Sequence, residues 1–256
     1  MRANVALSPV RKGKHRLLSS CAVAASIVAL AYGGPVLAQV AGTPLNPPGG
    51  VTISTDTVGH STTVGVTGAQ TIIDWVPTDA LPTGGDINFL PAGNTWNFNG
   101  NGSSNYIVLN RFVNGAGGSL SRQIALNGTI NSTDYAVSGQ QAGSIWFYNA
   151  GGILIGSTGV INVGSLVLTT NDIVTTGGLI DPATGIRFRA ETPGSTAGVT
   201  VSNGARITAT ESFAPAGSSY VALVAPRVTQ AGRVDVNGSA AYVAAESADI
   251  LIRTGG

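Results

Sequence analysis

Apolar and polar residues alternate with a period of two through most of the chain. The pattern runs through VTISTDTV (51–58), TIIDWV (71–76), TWNF (95–98), GVINVGSLVLTT (159–170), GVTVSNGARITATESF (198–213) and GRVDVNGSAAYVAAES (232–247). Most of the strand patterns within these runs are three to six residues long and end at Gly, Asn, Pro or Asp, residues that turn a chain because they tolerate positive φ or fix it. Between them lie more continuous apolar runs, YIVLNRFV (106–113), GSIWFYN (143–149) and YVALVAPRV (220–228). No stretch after the first forty residues has the 3.6-residue period of an amphipathic helix, so the pattern predicts an all-β chain.

A repeat narrows the architecture. GSIWFYNAGGILIGSTGVINVGSLVLTTNDI (143–173) can be laid over GSSYVALVAPRVTQAGRVDVNGSAAYVAAESADI (217–250). Gly143-Ser144 meets Gly217-Ser218, Trp146 meets Tyr220, Gly159 to Val163 meets Gly232 to Val236, and Asp172-Ile173 meets Asp249-Ile250. Variants of the unit G-x-[I/V]-x-V stand around NGTINS (127–132) and, with one residue more after the Gly, NGARITA (203–209). A unit that cannot bury its apolar face alone must stack on its neighbours, which is the logic of a solenoid. The prediction is a right-handed parallel β-helix with an N-terminal β cap; a β-sandwich is the competing arrangement. Coils of roughly 20 to 25 residues would give about nine or ten turns. Small aliphatic residues should line so narrow an interior, and the stretch from Gly49 to about Val66 is the expected cap over the first open edge.

The ends add a destination. Arg2, Arg11, Lys12, Lys14 and Arg16 precede the apolar stretch Cys21 to Tyr32, and GGPVLA ends at Ala38. That is the three-part layout of a secretory signal peptide with cleavage after Ala38, and the apolar run is short for a bilayer span. Cys21 precedes the apolar run instead of following it, so a lipoprotein box does not fit. Beyond Ala38 there is no Lys and no Cys, and eight arginines face twelve acids. No basic patch remains for nucleic acid, and no disulfide can staple the fold, so a large regular core must hold it.

Candidate chemistry is sparse. The glycine-rich run YNAGGILIGSTGVINVGS (148–165) has no Lys for a phosphate loop and leads into strand-forming residues where a dinucleotide fingerprint needs a helix. No cofactor is expected. With His60 alone after the leader and no Cys, no zinc site can be assembled, and without a G-x-S-x-G elbow His60 reads as a surface residue. Asp172, Asp181 and Glu191, with Arg187 and Arg189, are the carboxylates and bases that a polysaccharide lyase or hydrolase would need; the plainer reading is solvated turns. Trp75, Trp96 and Trp146 could stack on sugars if exposed in a row, but Trp146 between Ile145 and Phe147 reads as packed under a flanking element. Arg111 reads as a structural partner of a nearby carboxylate.

Five segments in order complete the reading: Ile73-Asp74-Trp75, Ile87-Asn88-Phe89, Val108-Leu109-Asn110-Arg111, Gly128-Thr129-Ile130, and Ile145 to Ile173. Together they resemble the N-terminal secretion domain of filamentous-haemagglutinin-type exoproteins, the passengers of two-partner secretion. The resemblance covers roughly 51–174. The family's Asn-Pro-Asn-Gly-Ile turn stands here as Asn149-Ala150-Gly151-Gly152-Ile153; Gly151 at the third place is expected to take the positive φ that Asn takes there. The resemblance implies a secretion motif carried by Asn110, Arg111, Asn149, Gly152 and Ile153. It implies an exported chain, secreted or at the cell surface, whose partner is an outer-membrane β-barrel transporter with periplasmic recognition domains, and an adhesin-type role toward host-surface or carbohydrate ligands. The corresponding organisation is a signal peptide at 1–38, a Pro/Gly-rich lead-in at 39–50, the secretion domain at 51–174, and further coils at 175–256. The pattern still runs at Gly256, as in a piece of a longer exoprotein or a short member that is all secretion domain.

Overall fold

The computed structural model describes residues 40–78, 84–101, 105–134, 140–210 and 219–252; the leader and Ala38 lie outside them. Every regular element among the described residues is a β-strand. Two come first, β1 (Gly42–Leu45) and β2 (Val51–Asp56), and a three-strand cycle then begins. The first coil is β3 (Ser61–Val66), β4 (Gln70–Pro77) and β5 (Ile87–Leu90). The second is β6 (Thr95–Gly100), β7 (Ile107–Phe112) and β8 (Ile124–Leu126), and the third is β9 (Thr129–Asp134), β10 (Ser144–Tyr148) and β11 (Ile153–Ile155). The fourth opens with β12 (Val160–Val163) and β13 (Ser165–Thr169), leaves the cylinder through β14 (Asp172–Ile173) and β15 (Ile186–Arg189), and closes with β16 (Gly198–Val201). β17 (Arg206–Ala209), β18 (Tyr220–Ala225) and β19 (Arg227–Gln230) form the fifth; β20 (Arg233–Val236), β21 (Ser239–Ala244) and β22 (Ser247–Ile250) follow.

Each position in the cycle stacks into its own sheet, in the orders β1-β4-β7-β10-β13-β18-β21, β2-β3-β6-β9-β12-β17-β20 and β5-β8-β11-β16-β19. From β3 onward every pairing in these three sheets is parallel, so the chain is a parallel β-helix. Among the described residues of these three sheets only β1 on β4 and β2 on β3 run antiparallel, and they cover the open edges of two of the first coil's three strands, β5 standing at the end of its sheet. The cap therefore starts before Gly49: β1 lies within 39–50, Val40 is buried, and β3 is already a parallel rung.

The coils are longer and fewer than the repeat suggests. Register offsets are 34 residues for Ser61↔Thr95 and Thr95↔Thr129, 31 for Thr129↔Val160, 46 for Val160↔Arg206 and 27 for Arg206↔Arg233. Six rungs of the first sheet run parallel, from β4 to β21. In the first and second sheets the strands of the first two coils are six to eight residues long, which makes the interior between them correspondingly wide. That width admits rings where narrow coils would not: Trp75, Phe89, Trp96, Phe98, Phe112 and Phe147 pack together with centroids 4.7 to 6.5 Å apart. Edge-to-face pairs such as Trp75–Trp96, at 5.1 Å and 90°, suit the ring quadrupoles. The later coils return to Val199, Val201, Ile207, Val221 and Leu223.

From β7 to β18 the first sheet is buried on both faces. Its inner face joins the interior cluster, while Ile107, Leu109, Trp146, Tyr148, Val167, Ala222 and Val224 form a second cluster on its outer side. That side is covered by the small antiparallel sheet β14-β15-β22, which contributes Ile173, Ile186 and Phe188. Trp146 is fully buried there and its indole N–H donates to the Tyr220 hydroxyl at 3.0 Å. The two Asp-Ile pairs that the repeat superimposes do not stack in the cylinder; β14 and β22 pair with opposite edges of β15. On the second sheet's outer face, Asn97, Asn131 and Asn162 form a ladder with side-chain amide bonds of 3.1 Å at each step.

Candidate functional site

The residues singled out by the motifs fall on two neighbouring rungs, in β7 and in the turn after β10. Along β7, alternation sends Asn110 inward and Arg111 outward. Asn110 is fully buried, accepts from the Trp75 indole N–H at 3.0 Å and donates to the Trp146 carbonyl at 3.2 Å. It thereby ties three successive rungs, β4, β7 and β10, from inside. Arg111 sits beside Asp74 in register and makes a two-pronged pair with it, Nε–Oδ1 2.6 Å and Nη2–Oδ2 2.9 Å. That carboxylate, more than any other influence, holds the guanidinium pKa above its ordinary value.

The turn is closed by backbone and side chain together. The Gly152 N–H donates to the Asn149 carbonyl at 3.1 Å. The Asn149 amide donates to the Gly152 carbonyl at 2.6 Å and to the Arg122 carbonyl of the coil below at 2.9 Å. Asn149 is fully buried, and its Oδ1 is one of the buried polar atoms without a hydrogen-bond partner. Gly152 has φ +119°, a region that a side chain makes costly. Gly151 does not take a positive φ, contrary to expectation. It is glycine for want of space: a Cβ there would come within 2.4 Å of the Arg122 carbonyl oxygen and 2.5 Å of its nitrogen. Ile153 then points into the interior, in register between Ile124 and Val199.

Of the carboxylates considered for catalysis, the structure brings two toward one another. On the flank, Tyr148 stands next to Arg111 in register and its hydroxyl donates to Glu191 Oε2 at 2.8 Å; the Ser119 hydroxyl donates to the same oxygen. Burial pushes the Tyr148 pKa up, and the bond to Glu191 adds to it. Asp172 is half-buried nearby: burial raises its pKa and Glu191 adds, while the Ile173 N–H and Arg111 pull it down. Asp181 instead caps a turn, accepting from the Ala183 and Thr184 amides at 2.8 and 3.0 Å. Arg189 pairs with Asp249 at 2.6 Å, and Arg187 donates to the Thr176 carbonyl. Trp75 and Trp96 are buried in the interior and offer no surface to a sugar, and His60 is exposed in the β2–β3 turn. Among the described residues, no group of three His, Cys, Asp or Glu stands close enough to hold a metal ion.

Sequence reasoning did not anticipate the Tyr148–Glu191–Ser119 contacts. Their signal was present in the near-continuous apolar runs at 106–113 and 143–149, which mark strands buried on both faces.

These features define a class, the capped parallel β-helix with a covered flank. No family model matches the chain, and no curated protein matches it. Among solved structures, the crystal structure of the HMW1 secretion domain from Haemophilus influenzae is similar over 81% of this chain, with a TM-score of 0.55 and 19% sequence identity. The chain spans 45% of the length of that structure. At this identity the likeness establishes the fold.

Proposed function

We propose that this chain is the secretion domain of a two-partner exoprotein of the filamentous-haemagglutinin type. In this reading a signal peptide at 1–38 takes the chain across the inner membrane, and an outer-membrane β-barrel transporter with periplasmic recognition domains receives the region 51–174. The chain then folds outside the cell as a β-helix, secreted or surface-held, where it would serve as an adhesin-type passenger toward host-surface or carbohydrate ligands. The observation that carries the reading is the structural likeness over four-fifths of the chain to a domain whose own name is a secretion domain. The five ordered motifs support it.

Burial constrains how the motif would work. Asn110, Asn149 and Ile153 are inaccessible once folded, so a transporter could read their side chains only in the unfolded chain. In the folded state these residues lock rungs and a turn, which suits them to nucleating a helix that grows coil by coil. The competing reading, a polysaccharide lyase or hydrolase, would draw on Asp172 and Glu191. Glu191 Oε2 already accepts from Tyr148 and Ser119, and Asp172 Oδ1 accepts from Ile173 N at 2.9 Å, an arrangement that favours the passenger.

Co-expression tests the proposal. The full chain should reach the medium only when a cognate barrel transporter with periplasmic recognition domains is present. Equal export with and without the transporter would overturn it.

A further inference from the structure

The sheet on the flank is assembled from two segments sixty residues apart in sequence. β14 and β15 arrive with the fourth coil, but their mutual ladder is only two pairs long, Asp172↔Arg189 and Ile173↔Phe188. β22 arrives after the last rung and pairs with the other edge of β15 over four residues, from Ile186↔Ile250 to Arg189↔Ser247. Ala248 and Ile250 pack against the flank cluster beside Phe188 and Ile186.

Bonds around this ladder concentrate on residues 245–249. The buried Asn171 donates its side-chain amide to the Ala245 carbonyl at 2.8 Å. Ala190 N donates to the Glu246 carbonyl, and Gly194 N to the Glu246 carboxylate, each at 2.7 Å. Arg189 reaches the Asp249 carboxylate at 2.6 Å and the Ala248 carbonyl at 3.2 Å. The insert thus touches the late segment at both its start, Asn171, and its far end, Gly194.

We infer that residues 245–250 are a latch, and that the insert 171–197 is a flap which can open over the flank without unfolding the cylinder. The partition of the core supports this. The interior cluster contains no residue of β14, β15 or β22, and all apolar contacts of the flap belong to the flank cluster on the opposite face of the first sheet. Cylinder rungs keep their parallel ladders whether or not the flap is seated. The flap shares only the flank cluster with the cylinder, and its side-chain bonds to earlier coils are few, Leu179 N–H to Gln70 and Glu191 to Tyr148 and Ser119; a segment held so can open before the rest. In a chain that emerges N-terminus first, the flap would wait sixty residues for its third strand, leaving Leu109, Trp146 and Val167 open until the latch arrives. The inference stands on packing alone and holds whether or not the secretion reading does.

Tryptophan provides the readout. Of the three tryptophans, Trp146 alone lies in the flank cluster, whereas Trp75 and Trp96 belong to the interior. In the purified full chain all three should resist acrylamide quenching. Ile250→Lys, which sets a charge against Ile186, should make one tryptophan of the three quenchable and leave the β-sheet circular dichroism unchanged. Hydrogen exchange at 172–173 and 186–189 should quicken by about tenfold or more, with β7, β10 and β13 keeping their protection. Asn171→Ala, which leaves the apolar face whole, should give the same pattern in milder form. Unchanged exchange in the flap of both variants would overturn the latch. Equal acceleration in the flap and the first sheet, or loss of the cylinder together with the flap, would overturn its separateness.

Discussion

Asn149→Ala should lower the stability of the folded chain by about 2 kcal/mol. The side chain is fully buried, and its amide nitrogen serves two carbonyls, Arg122 at 2.9 Å and Gly152 at 2.6 Å. Each bond forgone costs about 1 kcal/mol net, and an acceptor left dry adds roughly 1–3 kcal/mol. Gly152 O keeps the Ile124 N–H at 2.9 Å, so the second penalty falls mainly on the Arg122 carbonyl. Truncation also removes Oδ1, itself buried without a partner, and relief of that penalty, about 1 kcal/mol, offsets the dry Arg122 carbonyl and leaves about 2 kcal/mol from the two lost bonds. Asn149→Asp should be worse at neutral pH, because it sets a carboxylate against two carbonyl oxygens. The folded-state pKa of that carboxyl would be raised, so the deficit should narrow as pH falls and the acid form gains a proton to donate. Urea-unfolding midpoints of the purified full chain measure both variants. If Asn149→Ala unfolds with the parent's midpoint, the turn does not depend on this side chain; if export is lost at that unchanged midpoint, the transporter reads Asn149 directly.

Gly152→Ala should cost about 1–3 kcal/mol, since φ is +119° and the new Cβ would lie 3.3 Å from both Gln123 Cγ and Gly198 O; thermal unfolding reports it. Asp172→Asn should raise the melting temperature at neutral pH. A carboxyl whose folded pKa is raised contributes its stability below the unfolded pKa and loses it as pH climbs through the folded one, so the variant's advantage should close toward about pH 3; a gain that grows on acidification would contradict it. A double-mutant cycle on Arg111→Ala and Asp74→Ala should give a coupling below about 1 kcal/mol that shrinks in salt, because both side chains remain partly exposed, 32% and 25%.

Strand-by-strand structure was legible because alternation and turn residues act locally. The Gly159–Val163 and Gly232–Val236 segments do share a column, through β12, β17 and β20. Coil length was not legible, since it depends on loops such as 113–123 and on the insert through β14 and β15, which the repeat treats as interruptions. The aromatic interior was hidden for the same reason, since a coil assumed to be narrow was expected to be lined by small aliphatic residues and not by rings such as Trp96 and Phe98. Trp146 was read correctly as covered, because apolar neighbours on both sides in sequence mean two buried faces. The matching Asp-Ile pairs at 172–173 and 249–250 misled, being alike as edge strands of the flap and not as stacked rungs. The bond from Asn149 to Arg122 joins residues 27 apart and depends on coil stacking, which no local pattern encodes.

The reversed strands β1 and β2 give the assembly the character of a living polymer with one blocked end. A parallel rung presented to β4 or β3 from the N-terminal side finds the hydrogen-bonding edge already taken by a strand of opposite sense. Addition is therefore one-directional. Each new rung is templated by the register of its predecessor, and two copies cannot anneal cap to cap into a continuous parallel fibre. An initiator that doubles as a stopper lets one sequence stack strands at amyloid-like spacing while denying that geometry a second growing end.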